Sequence, residues 1–591
     1  MQGDVVELGE KKFSTDGALS TDAAIKLLVT SGLVLVALAL LTLLVRPGQY
    51  EIDIYAAAPW FWIFILAAAS AFIASIIWQA YCKNYNSFTL SFLGLVLCNL
   101  GIFCLPILRG YFYYGGSDPS GHLATIRAIL ATGYFTGDYY PVGHIIAAEI
   151  TQVTSLPPQT SMSLVVPLFS IVFAVFIYCL ATTVFAKREQ VLMATVIGFL
   201  PFFSYFQVAF YPQSVALLLF PVVLYLLFKS PSDLRFSALV VPVLLLETFA
   251  HPVISMILVA CLFGAFLAAR VAKARGLVPI TRLSLTVTLI GLTLWFGWWT
   301  AQTAVSDIGS VIKWLRGETA TIPRTAELGP ALQGGLWSAA QLALKMYGIQ
   351  VIFSVIAIIG IGLILLQYYR RQRGSSNAFI IVIASVTSVA AYAFAFLSEG
   401  LITLGRLFAA NAGFWSLPIL AALPLSLVNK KKVGVLLISV FIASAFIFGS
   451  FAVFRSPWIS QPNWQFTYAD AAAYQWDTLV ATSATGYSAI AMPMPLSGAG
   501  GESVKQVSIP PHFGYDNNTT FGESLGGNET LILFGEQQQR LVSDTPALSG
   551  TSLSGIWGLS GTTETDINKL QYDQTVNVIY VNGDSEMLWV R

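Results

Sequence analysis

The chain reads as a polytopic α-helical membrane protein, with about 13 transmembrane helices and a small C-terminal mixed α/β domain after the last of them. Three features lead there. Of its 591 residues 56% are hydrophobic and only 10% charged, with a mean hydropathy of +0.72, which leaves too few polar groups to cover a water-exposed surface. Apolar segments long enough to cross a bilayer, about 20 residues each, begin near residues 23, 58, 88, 162, 190, 211, 235, 252, 281, 347, 376, 402 and 433. After Phe454 the composition turns abruptly to Gly, Ser, Thr, Asn and Asp.

Residues 1–22 are polar and acidic. They lack a basic start leading into an apolar stretch and a cleavage site, so a cytoplasmic N-terminal tail is expected, with the first helix as an uncleaved anchor. Residues 23–454 then form a multi-pass transmembrane domain whose orientation follows from its Lys and Arg. With the N-terminus inside, the inner loops collect Lys83, Lys187, Arg188, Lys229, Arg235, Arg270, Lys273, Arg275, Arg282, Arg370, Arg371, Arg373, Lys430, Lys431 and Lys432. The longer outer loops hold only Arg46, Arg109, Arg127, Lys313, Arg316, Arg324 and Lys345. An odd number of crossings places residues 455–591 on the extracytoplasmic side of the cell (plasma) membrane. The net charge of +1 and the lack of a basic run give no reason to expect nucleic acid as a partner. Cys82, Cys98, Cys104, Cys179 and Cys261 all lie in or beside apolar segments, so neither a disulfide framework nor a zinc-site spacing is present.

Within residues 455–591, Tyr468 to Val480 reads as a helix, while Tyr487 to Met492, Thr530 to Phe534 and Val576 to Val581 are short bounded apolar runs suited to strands. At roughly 135 residues such a module can bury its own core. The glycine-rich Ser497 to Glu502 reads as a loop and not a phosphate cradle, since no helix clearly follows it. Sequons begin at Asn517, Asn518 and Asn528; if used they fit an outside location, although N-x-Thr also arises by chance in a Thr-rich loop.

Candidate chemistry gathers in the outer loop 110–161. Asp118 directly before Pro119 reads as an N-cap with proline at the first helical position, which sets His122 one turn along the same face. The plain alternative is a cap on a short interfacial helix running to about Ala131; His122 together with Gly115, Gly116 and Gly121 exceeds what a cap requires. Tyr139-Tyr140-Pro141 reads as the entry to a second short helix, with His144 in its first turn and Glu149 beyond it. Interfacial aromatics and a structural histidine are the competing readings there, and Asp138 equally fits an exposed turn.

Farther along, Glu247 and His251 stand four residues apart at an outer helix end before Pro252, and Glu399 and Arg406 stand two turns apart at another. An ionisable residue in a membrane helix is costly and is a functional hypothesis by default; an ion pair, or an arginine snorkelling to the interface, is the alternative. Gln207, Tyr211 and Gln213 either line the same cavity or make an ordinary polar turn. Trp295, Trp298 and Trp299 fit an interfacial belt, and the long outer loop Asp307 to Lys345 fits a lid.

The run Asp118-Pro119-Ser120-Gly121-His122 with Arg127, followed by Tyr134 and Tyr140-Pro141-Val142-Gly143-His144, resembles archaeal and actinobacterial members of the GT-C superfamily of membrane glycosyltransferases. The large first outer loop, its two short helices and the exported C-terminal module resemble the same superfamily. The resemblance implies transfer of a sugar from a polyprenyl-phosphate-linked donor to a glycan, lipid or protein acceptor at the outer face. Asp118 would act as general base with His122 beside it. Arg406, whose fork suits phosphate, would stabilise the departing lipid phosphate with His251 or His122, and His144, Arg127, Glu399, Asp138 and Glu247 complete the candidate substrate-binding set. The expected partners are the lipid-linked donor, the acceptor and membrane lipid.

The sequence departs from parts of that superfamily. No W-W-D-Y-G motif occurs, for Trp298-Trp299-Thr300 lies in a membrane helix and Gln475-Trp476-Asp477 lacks the rest, which disfavours transfer of a whole glycan to asparagine. No D-x-D or D-E pair stands in the first loop, so dependence on a divalent metal is open; Asp118, His122 and His144 would supply ligands if the two short helices converge. Two other readings use similar residues: a transporter or flippase of lipid-linked saccharides, and a polymerase or ligase joining them. Against transport, paired half-repeats with interrupted helices are absent. The product discriminates, since a transferase releases polyprenyl phosphate, a polymerase the diphosphate, and a transporter neither.

Overall fold

A computed structural model describes residues 21–43, 49–115, 118–135, 139–230, 233–276, 285–302, 316, 335–371, 375–397, 413–428, 431–459, 461–480, 487–489, 510–527, 530–535, 563–582 and 585–591. The helices in chain order are α1 (Thr21–Leu41), α2 (Pro59–Cys82), α3 (Phe88–Phe103), α4 (Asp118–Thr132), α5 (Pro141–Thr154), α6 (Pro158–Val184), α7 (Arg188–Gly198), α8 (Pro212–Leu218) and α9 (Phe220–Lys229). They continue with α10 (Leu234–Ala250), α11 (Pro252–Ala274), α12 (Leu285–Gln302), α13 (Gly335–Tyr369), α14 (Ser375–Leu397), α15 (Leu417–Val428) and α16 (Lys432–Ser450). Among the described residues, 8 helical segments are long and apolar enough to cross a membrane, and three shorter apolar helices accompany them.

Of the expected segments, those beginning near 281 and 402 start outside the described residues, and two others are shorter than a crossing helix needs. The run from residue 190 folds as α7, only 11 residues long; it is enclosed by α2, α6 and α15, so protein contacts satisfy its apolar side chains. The run from 235 becomes α10, 17 residues with Pro242 inside. Elsewhere packing is close. Phe72 of α2 is fully buried, and a Cβ added at Gly32 or Gly94 would lie 2.7 or 2.3 Å from its ring, so small residues on α1 and α3 let both helices close over one knob.

Two-residue strands β1 (Tyr113–Tyr114) and β2 (Gln465–Phe466) pair antiparallel, Tyr113 opposite Phe466, and the two rings stack at 4.7 Å. This ribbon joins the loop after α3 to the segment after α16. A buried polar network locks it. Arg109 is ion-paired with Glu51, Tyr111 Oη donates to Glu51 Oε2 at 2.7 Å, and Asn463 Nδ2 donates to Tyr111 Oη and to the Glu51 carbonyl. Tyr50 Oη donates to the Asn463 carbonyl, and Gln465 bonds both Glu51 N and the Gln49 carbonyl.

Beyond the ribbon, α17 (Tyr468–Val480) precedes a four-stranded sheet of β3 (Tyr487–Ala489), β4 (Thr530–Phe534), β5 (Val576–Val581) and β6 (Glu586–Val590), in the order β3-β4-β6-β5. β3 runs parallel to β4, and β6 runs antiparallel to both of its neighbours. The helix, β4 and β5 stand where the sequence patterns place them, β3 covers the first part of its expected run with residues 490–492 outside the described residues, and β6 is an addition that those patterns missed. Phe513, Phe521, Ile532, Phe534, Leu570, Leu588 and Val590 form a separate apolar cluster here. Ser497 to Glu502, Asn528 and most of Asp307 to Lys345 lie outside the described residues.

Candidate active site

α4 starts at Asp118, with Pro119 next and an acid in the first turn, the arrangement that fixed proline geometry and the positive helix start both favour. Gly115 makes the approach possible: its φ is +136°, and a Cβ there would sit 2.5 Å from Pro119 Cγ. Pro119, Leu123 and Ile126 are buried, which leaves Asp118 exposed and His122 half-buried on the flank. α5 starts at Pro141 with Tyr140 as its N-cap residue, and His144 in its first turn is buried.

The two short helices bring their histidines together. His122 Nδ1 and His144 Nε2 are 2.9 Å apart, so one ring donates to the other and the pair shares a proton. Phe210 forms the floor, with its ring 5.3 Å from His122 and 5.6 Å from His144. It approaches so closely because residue 143 is glycine; a Cβ there would fall 2.9 Å from Phe210 Cζ.

Phe210 belongs to the loop between α7 and α8, which also carries Tyr205 and Tyr211. Burial pushes the Tyr205 hydroxyl up to about 12, with Arg455 opposing the shift and Asp118 adding to it. Tyr211 is raised further, first by burial, then by Tyr205 and Asp118. The charges of Asp118 and Arg455 therefore converge on one pair of tyrosines. Arg455 enters from the segment after α16, where its backbone N–H donates to Tyr114 Oη at 2.7 Å. Its guanidinium lies 4.1 Å over the Tyr205 ring and 4.5 Å over the Trp464 ring, at a corner where those two rings stand 5.2 Å apart at 74°. The sequence patterns do not single out Arg455, Trp464 or Tyr205. A signal was there, for Arg455 is the first charge after the last apolar run and Trp464 follows within the same segment.

Other candidates are placed differently. Arg127 is exposed and sits nine positions after Asp118, half a revolution away on a 3.6-residue helix, so it does not join this face. His251 caps α11, with Nδ1 accepting from Ile254 N at 3.4 Å, and its ring stacks on Tyr140 at 4.8 Å and 2°. Glu247 is fully buried, and neither carboxylate oxygen has a hydrogen-bond partner among the described residues; the bond between Glu247 and His251 is a backbone one, His251 N to Glu247 O. Gln207 is the polar-turn residue, its Oε1 accepting from Phe203 N. Trp295 and Trp298 donate their indole N–H to the Pro252 and Tyr139 carbonyls, which braces the entries to α11 and α5. Asp138, Glu399 and Arg406 lie outside the described residues.

The expected convergence of Asp118, His122 and His144 on one metal ion is not formed. The two imidazoles meet each other, and among the described residues no group of three or more His, Cys, Asp or Glu side chains could hold an ion. What the arrangement offers is an exposed carboxylate, an imidazole pair one turn away and a buried cation, all at the helix ends beside the β1–β2 ribbon.

No protein-family model and no curated protein matches the chain. Solved structures similar to it include the Archaeoglobus fulgidus oligosaccharyltransferase AglB in complex with an inhibitory peptide and a dolichol-phosphate, at 12% identity and a TM-score of 0.46, covering 79% of this chain and 71% of that one. The same enzyme tethered with an acceptor peptide containing the NVT sequon matches at 12% and 0.46, covering 80% and 71%. ArnT from Cupriavidus metallidurans bound to undecaprenyl phosphate matches at 10% and 0.37, covering 85% and 98%. Both proteins are GT-C membrane glycosyltransferases, the superfamily that the stretch Asp118 to His144 resembles. At these scores the likeness carries no functional argument, and the chemistry is read from this chain's own residues.

Proposed function

We propose that the chain is a membrane glycosyltransferase that moves a sugar from a polyprenyl-phosphate-linked donor to a glycan, lipid or protein acceptor at the outer face, with the N-terminus cytoplasmic and residues 455–591 extracytoplasmic. The observation that carries this reading is the joining of α4 and α5 through His122 and His144, with the Asp118 carboxylate one turn from His122 at the start of α4.

The acceptor hydroxyl attacks the anomeric carbon while the bond from that carbon to the phosphate oxygen breaks, and its electron pair leaves with the phosphate. Asp118 takes the hydroxyl proton. A positioned carboxylate base contributes typically 10²–10⁴-fold, and an exposed one is within reach of an incoming acceptor. His122, fixed by its bond to His144, is the next proton carrier along the same helix face. Tyr140, the N-cap residue of α5, stacks on His251 and ties this helix pair to the start of α11.

The test is release of free polyprenyl phosphate from a panel of labelled polyprenyl-phosphate sugars by membranes carrying the natural chain or Asp118→Asn. Release that the substitution lowers at least 100-fold at equal expression is the expected result. Absence of release from every donor would overturn the reading in favour of transport or of diphosphate-linked substrates.

A further inference from the structure

Arg455 is the side chain whose surroundings are least explained by the fold. It is 6% exposed, and its Nε and Nη1 are buried without a hydrogen-bond partner among the described residues. Trp464, whose ring the guanidinium touches at 4.5 Å, likewise buries its indole Nε1 without a partner, and so does the hydroxyl of the adjoining Ser456. A guanidinium is always charged, and aromatic faces compensate only part of the cost of burying it. Buried donors are ordinarily satisfied. Three unsatisfied donor nitrogens on two touching side chains, one of them cationic, make a surface suited to an anion.

We propose that Arg455, with the Trp464 indole N–H beside it, binds the phosphate of the lipid-linked substrate and holds it as it departs. The inference rests on the transferase reading above and names the donor-side cation of that site. A guanidinium presents its N–H groups as a planar fork that fits two oxygens of a phosphate. Here the guanidinium carbon lies 4.1 Å from the Tyr205 ring centroid and 4.5 Å from that of Trp464, so two rings brace its position before a ligand arrives. Asp118 and Arg455 both influence Tyr205 and Tyr211, so the proton acceptor and the phosphate site share one neighbourhood. As the carbon–oxygen bond breaks, the phosphodiester monoanion becomes a monoester of higher charge. The cation therefore binds the leaving group more strongly than the ground state, which is the direction catalysis requires.

Binding of undecaprenyl phosphate, undecaprenol and inorganic phosphate to the purified full chain in detergent, read by intrinsic tryptophan fluorescence and by competition with a labelled lipid phosphate, tests this. The natural chain is expected to prefer undecaprenyl phosphate over undecaprenol. Arg455→Met is expected to lose that preference by at least 10-fold while undecaprenol binding and the melting temperature hold. Arg455→Lys, which keeps the charge but not the fork, is expected to fall between, and it serves if Arg455→Met does not fold. Inorganic phosphate that competes only weakly supports a lipid headgroup site; equal competition would replace it with a general oxyanion site. Unchanged phosphate preference in both variants would overturn the proposal, even with release still dependent on Asp118. Phosphate binding that depends on Arg455 in a chain that releases nothing would instead overturn the transferase reading and leave the anion site standing.

Discussion

Beside the β1–β2 ribbon stand two arginines buried to nearly the same degree, Arg109 at 5% and Arg455 at 6% exposure, and the protein treats them in opposite ways. Arg109 meets Glu51 through both Nε and Nη2, and the carboxylate is further bonded by Tyr111. Arg455 rests on aromatic faces with two of its N–H groups unclaimed among the described residues. A buried charge with its partners in place is a joint; one without them is a receptor. The same physical cost, removing a guanidinium from water, is met inside the fold in the first case and left for a ligand to meet in the second.

Substitution separates the two. Arg109→Met leaves the Glu51 carboxylate buried and unpaired, and is expected to destabilise the chain by about 3–5 kcal/mol, seen as a lowered melting temperature or a lost folded peak in size-exclusion chromatography. Adding Glu51→Leu should recover most of that loss, because replacing both members of a buried pair by apolar groups is often neutral. Should Arg109→Met prove no more harmful to folding than Arg455→Met, the contrast between joint and receptor fails. A smaller effect is expected of Tyr111→Phe, which removes the hydroxyl bridging Glu51 and Asn463. About 1–3 kcal/mol of stability should go with it, and phosphate-dependent binding should be unchanged once the chain is folded.

The module that follows the ribbon extends the comparison to a buried carboxylate held by several donors, Asp566, where the smallest effect is expected. Burial pushes the Asp566 carboxyl up, but the Thr563 hydroxyl, His512 and the Thr563 amide together hold it below the ordinary aspartate value of 3.8. The sign follows directly. A carboxylate with a depressed folded-state pKa adds stability that is fully present above 3.8 and is lost as pH falls through the folded value. Melting temperatures of the full chain between pH 5 and pH 2 should show that loss on the acid side, and Asp566→Asn should flatten it. A slope unaltered by the substitution would assign acid sensitivity to other groups, such as Asp573, held low in the same manner.

Much of the fold was legible because membrane helices and short capped helices are local features. Asp118-Pro119 marks the start of α4 and Tyr140-Pro141 that of α5, since proline fixes the backbone angle of a first turn wherever the chain runs. Length was less legible than apolarity. The run at 190 is as apolar as a crossing helix, yet α7 ends at Gly198, because protein on every side can satisfy an apolar surface as well as lipid does. β6 was missed for a related reason, as a five-residue strand is set by the neighbours it pairs with, β4 and β5.

The sequence by itself determined that this chain lives among lipid, that acid and imidazole stand one turn apart at a helix start, and that a second histidine opens the next helix. Periodicity, proline and charge act over a few residues and can be read one segment at a time. Only the tertiary structure decided that His122 reaches His144, that Asp118 does not complete a metal site with them, and that Arg127 turns away. It also decided where Arg455 sits. Arg455 reaches Tyr205 and Trp464 only because β1 pairs with β2 across more than 300 residues of chain, and nothing local distinguishes an arginine that will rest on aromatic rings from one that will find a glutamate.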